Sequence, residues 1–277
     1  MPLKLMYITN SPEVAQIVEN AGIDRIFIDM EHIGKSDRQG GMDTVQSHHT
    51  VDDIKSIKNA VFSADVMVRV NPIHNSTESY SSTETEIDNA IKSGADILML
   101  PYFKKADEVK RFIDAVGGRA RTLPLLETPE AVKNVDEILS IKGIDEIFIG
   151  LNDLSLGYGK KFMFELLSDG TVERLCNKFK QCGIPYGFGG IASIGKGMLP
   201  SEYVIKEHYR LGSTCAILSR SFCNISKISN INEVKNIFVN GITEIRRLEE
   251  ECASKDKQFF EENKKEIDRR IKVICGE

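Results

Sequence analysis

Two acidic residues at the ends of apolar runs open the chemistry of this sequence. Glu127 follows Thr122-Leu123-Pro124-Leu125-Leu126, and Asp153 lies just past Ile147-Phe148-Ile149-Gly150. They stand 26 residues apart, the spacing of one strand, one crossover and the next strand. If those strands are neighbours, both carboxylates can meet one hard divalent cation, leaving about four octahedral positions for water and a chelating 2-oxo acid. The same acids read equally as caps of the helices that follow, and spacing alone leaves both readings open. Arg69, in Val68-Arg69-Val70-Asn71-Pro72, can fork onto a carboxylate or an enolate oxygen, or close an internal ion pair with Glu127 or Glu31. His32 ends Asp29-Met30-Glu31-His32, where Asp29 could orient the ring for proton transfer; alone, it reads as an ordinary hydrogen-bonding residue. His48, His49 and His74 fall in polar stretches and are expected to be solvated, while His208 is expected to pack within a helix.

Further substrate contacts are expected from Asn152, beside Asp153, from Gly189 and Gly190, and from Arg220. The glycines belong to Gly187-Phe188-Gly189-Gly190-Ile191-Ala192-Ser193-Ile194-Gly195-Lys196-Gly197, which matches neither GxGxxG with its distal acid nor the GKS/T order of a phosphate loop. It reads as a loop where backbone amides approach a ligand. Arg220, together with Lys35, Arg38 and Gln39 of a polar stretch, could hold an anionic substrate tail, and surface solvation reads as well for the latter three.

Elements able to position these residues follow from periodicity. Short β-branched runs at residues 3–8, 25–30, 65–70, 96–101, 122–126, 146–150, 185–189 and 214–219 alternate with helical patterns near 12–21, 51–62, 85–93, 106–115, 129–141, 163–182 and 200–211. Eight strands in one register over about 250 residues fit a (β/α)8 TIM barrel, whose active sites lie past the strand C-termini. Continuous apolar strands such as Leu98-Met99-Leu100 suit a sheet covered on both faces. Two polar interruptions, residues 34–49 and 74–83, follow strand ends. The barrel is assigned to residues 1–230. Residues 231–277 read as one long charged helix with an imperfect apolar stripe that includes Phe259 and Phe260. It is too long to pack wholly on its own barrel, so it is expected to contact a neighbouring subunit.

Composition narrows the partners. Thirty-six basic against 41 acidic residues give a net charge of −5, with no basic tract to suggest nucleic acid. No apolar run approaches the roughly twenty residues of a membrane span. The start Met1-Pro2-Leu3-Lys4 lacks the pattern of a secretory signal, so a cytoplasmic location is expected. Six scattered cysteines without a CxxC pair read as reduced thiols.

Five blocks together resemble the HpcH/HpaI aldolase and citrate lyase β-subunit superfamily. They are Ile28-Asp29-Met30-Glu31-His32, Val68-Arg69-Val70-Asn71-Pro72, Met99-Leu100-Pro101, Leu125-Leu126-Glu127-Thr128-Pro129-Glu130-Ala131, and Gly143-Ile144-Asp145-Glu146-Ile147-Phe148-Ile149-Gly150-Leu151-Asn152-Asp153-Leu154-Ser155. The resemblance spans roughly residues 3–222. It implies a TIM barrel binding Mg2+, Mn2+ or Co2+, assembled as a homo-oligomer (trimer or hexamer) with the last helix docked on a neighbour. It also implies carbon–carbon bond chemistry beside a pyruvate-type enolate, with an aldehyde or acyl partner. By position, Glu127 and Asp153 match metal ligands, Arg69 the 2-oxo acid clamp, His32 with Asp29 the proton-handling pair, and Glu31 a holder of metal-bound water. Lys92 stands where aldolase relatives often carry an acid, and residues 117–121 are shorter than their Arg-Gly-rich loop. Two alternatives stay open: a lyase of citryl- or malyl-CoA-like thioesters, and a ligand-binding barrel without catalysis.

Overall fold

The computed structural model describes residues 1–34 and 47–276. Its eight strands are β1 (Lys4–Ile8), β2 (Arg25–Asp29), β3 (Asp65–Arg69), β4 (Ile97–Leu100), β5 (Arg121–Leu126), β6 (Ile147–Ile149), β7 (Tyr186–Ile191) and β8 (Cys215–Leu218). All neighbours are parallel, and β8 returns to β1, closing a barrel in sequence order. The helices are α1 (Pro12–Asn20), α2 (Val51–Ala60), α3 (Thr83–Lys92), α4 (Ala106–Val116), α5 (Pro129–Lys133), α6 (Val135–Leu139), α7 (Leu151–Gly157), α8 (Glu165–Ser168), α9 (Thr171–Gln181), α10 (Ser201–Leu211), α11 (Ile231–Ala253) and α12 (Lys257–Cys275). The expected TIM barrel is the observed fold.

Strand alternation divides the core in two. Met6, Phe27, Met67, Met99, Leu123, Leu125, Phe148 and Cys215 fill the barrel interior. Their chain neighbours, such as Leu5, Ile26, Ile28, Val66 and Val68, face the helices. Both faces are buried, so the strands lack polar alternation. The N-terminal end of the barrel is plugged by charge: fully buried Arg25 on β2 donates to Glu146 before β6 at 2.5 Å, and Arg121 pairs with Asp65 at 2.5 Å.

Local chemistry sets the element ends. Ser11 accepts the amide of Val14 ahead of Pro12, and Thr50 with Asp53 forms a capping box on α2. Three helical expectations change. Residues 129–141 divide at Asn134, whose side-chain amide donates to the Lys104 carbonyl. The stretch 163–182 divides at Gly170, which adopts φ 79, so a continuous helix cannot pass. Helix α7 begins directly after β6, in a stretch outside the expected helices.

The C-terminal segment is two helices, not one. Asp256 caps α12 after the Ser254–Asp256 reversal, accepting the amide of Phe259. That reversal removes the length argument for a neighbouring subunit: α11 lies on α1 and α10, and α12 lies on α10 and α8 of the same chain. Glu249 accepts the Leu3 amide at 2.6 Å, Ser168 donates to Asp268 at 2.6 Å, and Asn263 donates to the Tyr203 carbonyl. Phe259 and Phe260 are half-buried, with the Lys206 and Lys255 ammonium groups over Phe259.

Candidate active site

Strand register builds the first cluster. Asp29, the last residue of β2, is paired with Arg69, the last of β3, so neighbouring strands deliver opposite charges side by side at the C-terminal mouth. Arg69 Nε and Nη2 donate to the two carboxylate oxygens of Asp29, each at 2.8 Å, a planar fork-on-fork contact. Its Nη1 lies 3.3 Å from Glu31 Oε2, and the Glu31 amide donates to Asp29 Oδ1. Asp29 and Glu31 are almost wholly buried. Burial opposes the guanidinium charge, yet Asp29 and Glu31 outweigh it and hold the Arg69 pKa above its ordinary value.

The histidines differ from their sequence reading. His32 is half-buried, its amide held by Asn71 Oδ1 at 2.8 Å and its ring stacked 5.9 Å from that of His48. The carboxylate of Asp29, expected to orient His32, is engaged by Arg69 and the Glu31 amide. His49, expected in solvent, is buried, and its Nδ1 accepts the Asp29 amide at 3.0 Å. That bond places the proton of a neutral His49 ring on Nε2. Nothing in its flanking Ser47-His48-His49-Thr50 signalled this role, since it depends on a contact with Asp29, 20 residues earlier in the chain. His74 is also tied down, between the carbonyls of Pro72 and Ser81. His208 packs as expected, stacked 3.8 Å from Phe188, and burial pushes its pKa down to about 3.

The second cluster holds the two acids. Glu127 follows β5, and Thr128, not Glu127, caps α5 by accepting the Ala131 amide. Glu127 Oε1 accepts the amide of Tyr102 at 2.9 Å. Asp153 stands in the first turn of α7, where exposed Asn152 donates to its Oδ1 at 3.1 Å. Glu127 and Asp153 are buried and share a pocket of about 170 Å³ with Tyr102, Thr128, Pro129 and Leu156. Burial, then the negative charges of Asp153 and Glu31, raise the Glu127 carboxyl well above its ordinary pKa, with Arg69 and the Tyr102 amide opposing. Crowded oxygen donors of one sign, removed from water, fit a hard divalent cation. Among the described residues no group of three or more His, Cys, Asp or Glu side chains is placed to hold a metal ion, so an ion here would have Glu127 and Asp153 as its carboxylate ligands.

A larger cavity, about 460 Å³, opens between the ends of β1, β2, β3 and β8. Asp29, His49 and Arg69 line one wall, and Asn10, Ser219 and Arg220 another. Arg220 thus shares a cavity with Arg69, whereas His32 lines neither this cavity nor the acidic pocket. Gly189 and Gly190 are half-buried on β7, where pairing with β8 is irregular between Gly187 and Gly190. Gly189 adopts φ 59, a left-handed conformation suited to glycine. Lys35, Arg38 and Gln39 lie outside the described residues.

A closed (β/α)8 barrel with an arginine–carboxylate fork and a buried acid pair at its C-terminal mouth is the architecture of a barrel enzyme. Residues 4–165 match the family described as HpcH/HpaI aldolase/citrate lyase, and the chain belongs to that family. It is similar to the hydroxypyruvate/pyruvate aldolase of Rhizorhabdus wittichii RW1, 39% identical over 79 residues that cover 26% of this chain and 32% of that protein. The match therefore spans about a third of the curated relative. Two solved structures share the fold. One is an HpcH/HpaI aldolase/citrate lyase family protein from Burkholderia cenocepacia J2315, with TM-score 0.62 and 17% identity over 84% of this chain and 95% of that one. The other is the HpcH/HpaI aldolase from Desulfitobacterium hafniense DCB-2, with TM-score 0.60 and 15% identity over 88% and 93%. No helix among the described residues is long and apolar enough to cross a membrane.

Proposed function

We propose that the protein is a divalent-metal-dependent aldolase, making or breaking the carbon–carbon bond next to the enolate of a 2-oxo acid, with an aldehyde or acyl compound as second substrate. The observation that carries this reading is the burial of Glu127 in one pocket with Asp153, where desolvation and then the charge of Asp153 raise the Glu127 pKa, a conflict that a cation relieves. Mg2+, or Mn2+ or Co2+, held by these two side chains would supply Lewis-acid stabilisation of the negative charge developing on the 2-oxo acid. The relative named a hydroxypyruvate/pyruvate aldolase supports the substrate class.

The chain's own groups bind, orient and move the proton. A guanidinium has five N–H donors, so Arg69 retains capacity for a substrate carboxylate after engaging Asp29 and Glu31. Asp29 holds the guanidinium plane fixed. His32, which lines neither cavity, would take the hydroxyl proton through a water in the cleavage direction and return it in condensation. Glu31 would hold water beside the cation. Asn152, the backbone at Gly189 and Gly190, and Arg220 contact the substrate. The catalytic unit is residues 1–230, with 231–277 as an appended helical pair. The protein works as a cytoplasmic homo-oligomer, a trimer or hexamer.

The test is pyruvate release from a 4-hydroxy-2-oxo acid, followed by lactate dehydrogenase-coupled NADH oxidation, in chelator and after adding back Mg2+ or Mn2+. Turnover lost in chelator, restored by metal, and absent in a folded Glu127→Ala variant is expected. Full activity in chelator refutes the metal role, and turnover confined to acyl-CoA substrates moves the assignment to a thioester lyase.

A further inference from the structure

Two unrelated backbone features of this barrel converge on the carboxylate of Glu127. The first is Tyr102, two residues past β4, at φ 51, the only non-glycine residue in the left-handed region among the described residues. Left-handed backbone is disfavoured for a side chain as bulky as tyrosine, and such outliers persist only where the surroundings enforce them. At Tyr102 this conformation directs the amide to Glu127 Oε1, at 2.9 Å. The second is Gly150, the residue between β6 and α7. Its φ of −80 and ψ of 90 are open to any residue, so its backbone conformation does not require glycine. Space does: a Cβ built there meets Glu127 Oε2 at 2.7 Å, Glu127 Cβ at 2.8 Å and Leu125 Cδ1 at 3.2 Å.

One carboxylate oxygen is therefore held by a directed amide, while the other lies against a bare Cα. We propose that Tyr102 and Gly150 are positioning residues that together fix the rotamer of Glu127 and so set the affinity of the acidic pocket for a divalent cation. Tyr102 acts through its backbone and Gly150 through its missing side chain; neither touches the ion. Both lie where the chain passes Glu127, Tyr102 also lining the pocket shared with Asp153. This rests on the reading of Glu127 and Asp153 as metal ligands, and the variants separate its failure from that of the reading.

The experiment is calorimetric titration of Mn2+ into the full-length protein, with circular dichroism and thermal melting of the metal-free protein as independent readouts. Partners that orient metal ligands typically contribute about 10- to 100-fold in affinity. Gly150→Ala is expected to weaken Mn2+ binding at least about tenfold. Tyr102→Gly keeps the amide but releases its direction, so it is expected to weaken binding severalfold while the melting temperature stays level or rises. Tyr102→Asn, a residue that tolerates left-handed backbone, is expected to recover most of the loss. Should Gly150→Ala fail to fold, the Tyr102 pair still decides. Wild-type affinity in Tyr102→Gly, or equal losses in Tyr102→Gly and Tyr102→Asn, overturns the proposal. If wild-type protein fails to bind Mn2+, or Glu127→Gln binds it undiminished, the metal-site reading itself falls, a result distinct from either.

Discussion

Replacing Glu127 by Gln removes one of two adjoining buried negative charges with almost no change of shape, and the structure gives this substitution two opposite effects. In the metal-free protein, Glu127 is destabilised in its charged form by burial, by Asp153 and by Glu31, and only Arg69 and the Tyr102 amide offset this. A neutral amide escapes that penalty and can still accept the Tyr102 N–H through its oxygen. Substitutions that relieve functional-site strain of this kind commonly stabilise by about 0.5–2 kcal/mol. For a chain this long, that is a rise of a few °C, at about 2–4 °C per kcal/mol. Metal reverses the order. A ligand at a hundred times its dissociation constant stabilises the native state by about 2.7 kcal/mol, and Glu127→Gln forfeits most of that by losing an anionic ligand. Differential scanning fluorimetry of both proteins, with EDTA or with millimolar Mn2+ or Mg2+, reads both signs. The variant should melt higher than wild type in EDTA and lower in metal. A variant that melts lower in EDTA would show that the acids are not in conflict, and an equal metal shift in both proteins would show that Glu127 is not a ligand.

Arg69→Lys preserves charge but not the fork that engages Asp29 at two 2.8 Å contacts, so kcat/KM for the 2-oxo acid substrate should fall about a hundredfold or more with little change in melting, a contrast steady-state kinetics can check. Arg25→Ala should cost about 3 kcal/mol, because it leaves buried Glu146 with the more distant Arg121 guanidinium at 3.8 Å. Arg25→Met combined with Glu146→Leu should recover much of that loss in urea melts, and no recovery would disprove the pairing argument. Buried Glu86 accepts the side chain and amide of Asn71, and burial raises its folded pKa above the ordinary value of 4.5. A raised carboxyl pKa gives stability that is full below the unfolded value and lost as pH rises through the folded one. Glu86→Gln should therefore gain on wild type as pH climbs above about 4.5, by about 1.4 kcal/mol for each unit of elevation. A pH-independent difference between their melting curves would contradict this.

The barrel was legible because its signals are local. Each strand is a short run whose two faces are both covered, and each is followed by a helix of the ordinary period, so order and register needed no long-range knowledge. Asp29, Arg69, Glu127 and Asp153 stood out for the same reason: the ends of barrel strands share one mouth, whatever the loops do. What escaped the sequence was set by contacts distant along the chain. His49 reads as one of several histidines in a polar stretch until the chain folds back to place it under the Asp29 amide. Tyr102 carries no motif, because its contribution is a dihedral angle and the direction of a peptide N–H. The C-terminal apolar stripe is visible in the sequence, but the break at Ser254–Asp256 carries no proline or glycine to mark it, so two helices folded on one barrel read as a single arm.

The charges at the mouth explain why one barrel keeps two clusters rather than one. Arg69 is the cation of a group that contains four buried carboxylates: Asp29 and Glu31 in contact with it, Glu127 within reach of its field, and Asp153 beyond. Asp29 and Glu31 already face that guanidinium, and its field lowers the Glu127 pKa without cancelling the rise from burial and Asp153. The charged form of Glu127 is then relieved by a proton or by a small cation with vacant positions. Replacing one acid by a neutral residue would stabilise the metal-free fold more simply. On the proposed reading a resident cation offsets that conflict: the Arg69 cluster would orient an anionic group, while the cation at Glu127 and Asp153 would stabilise the negative charge that develops during reaction.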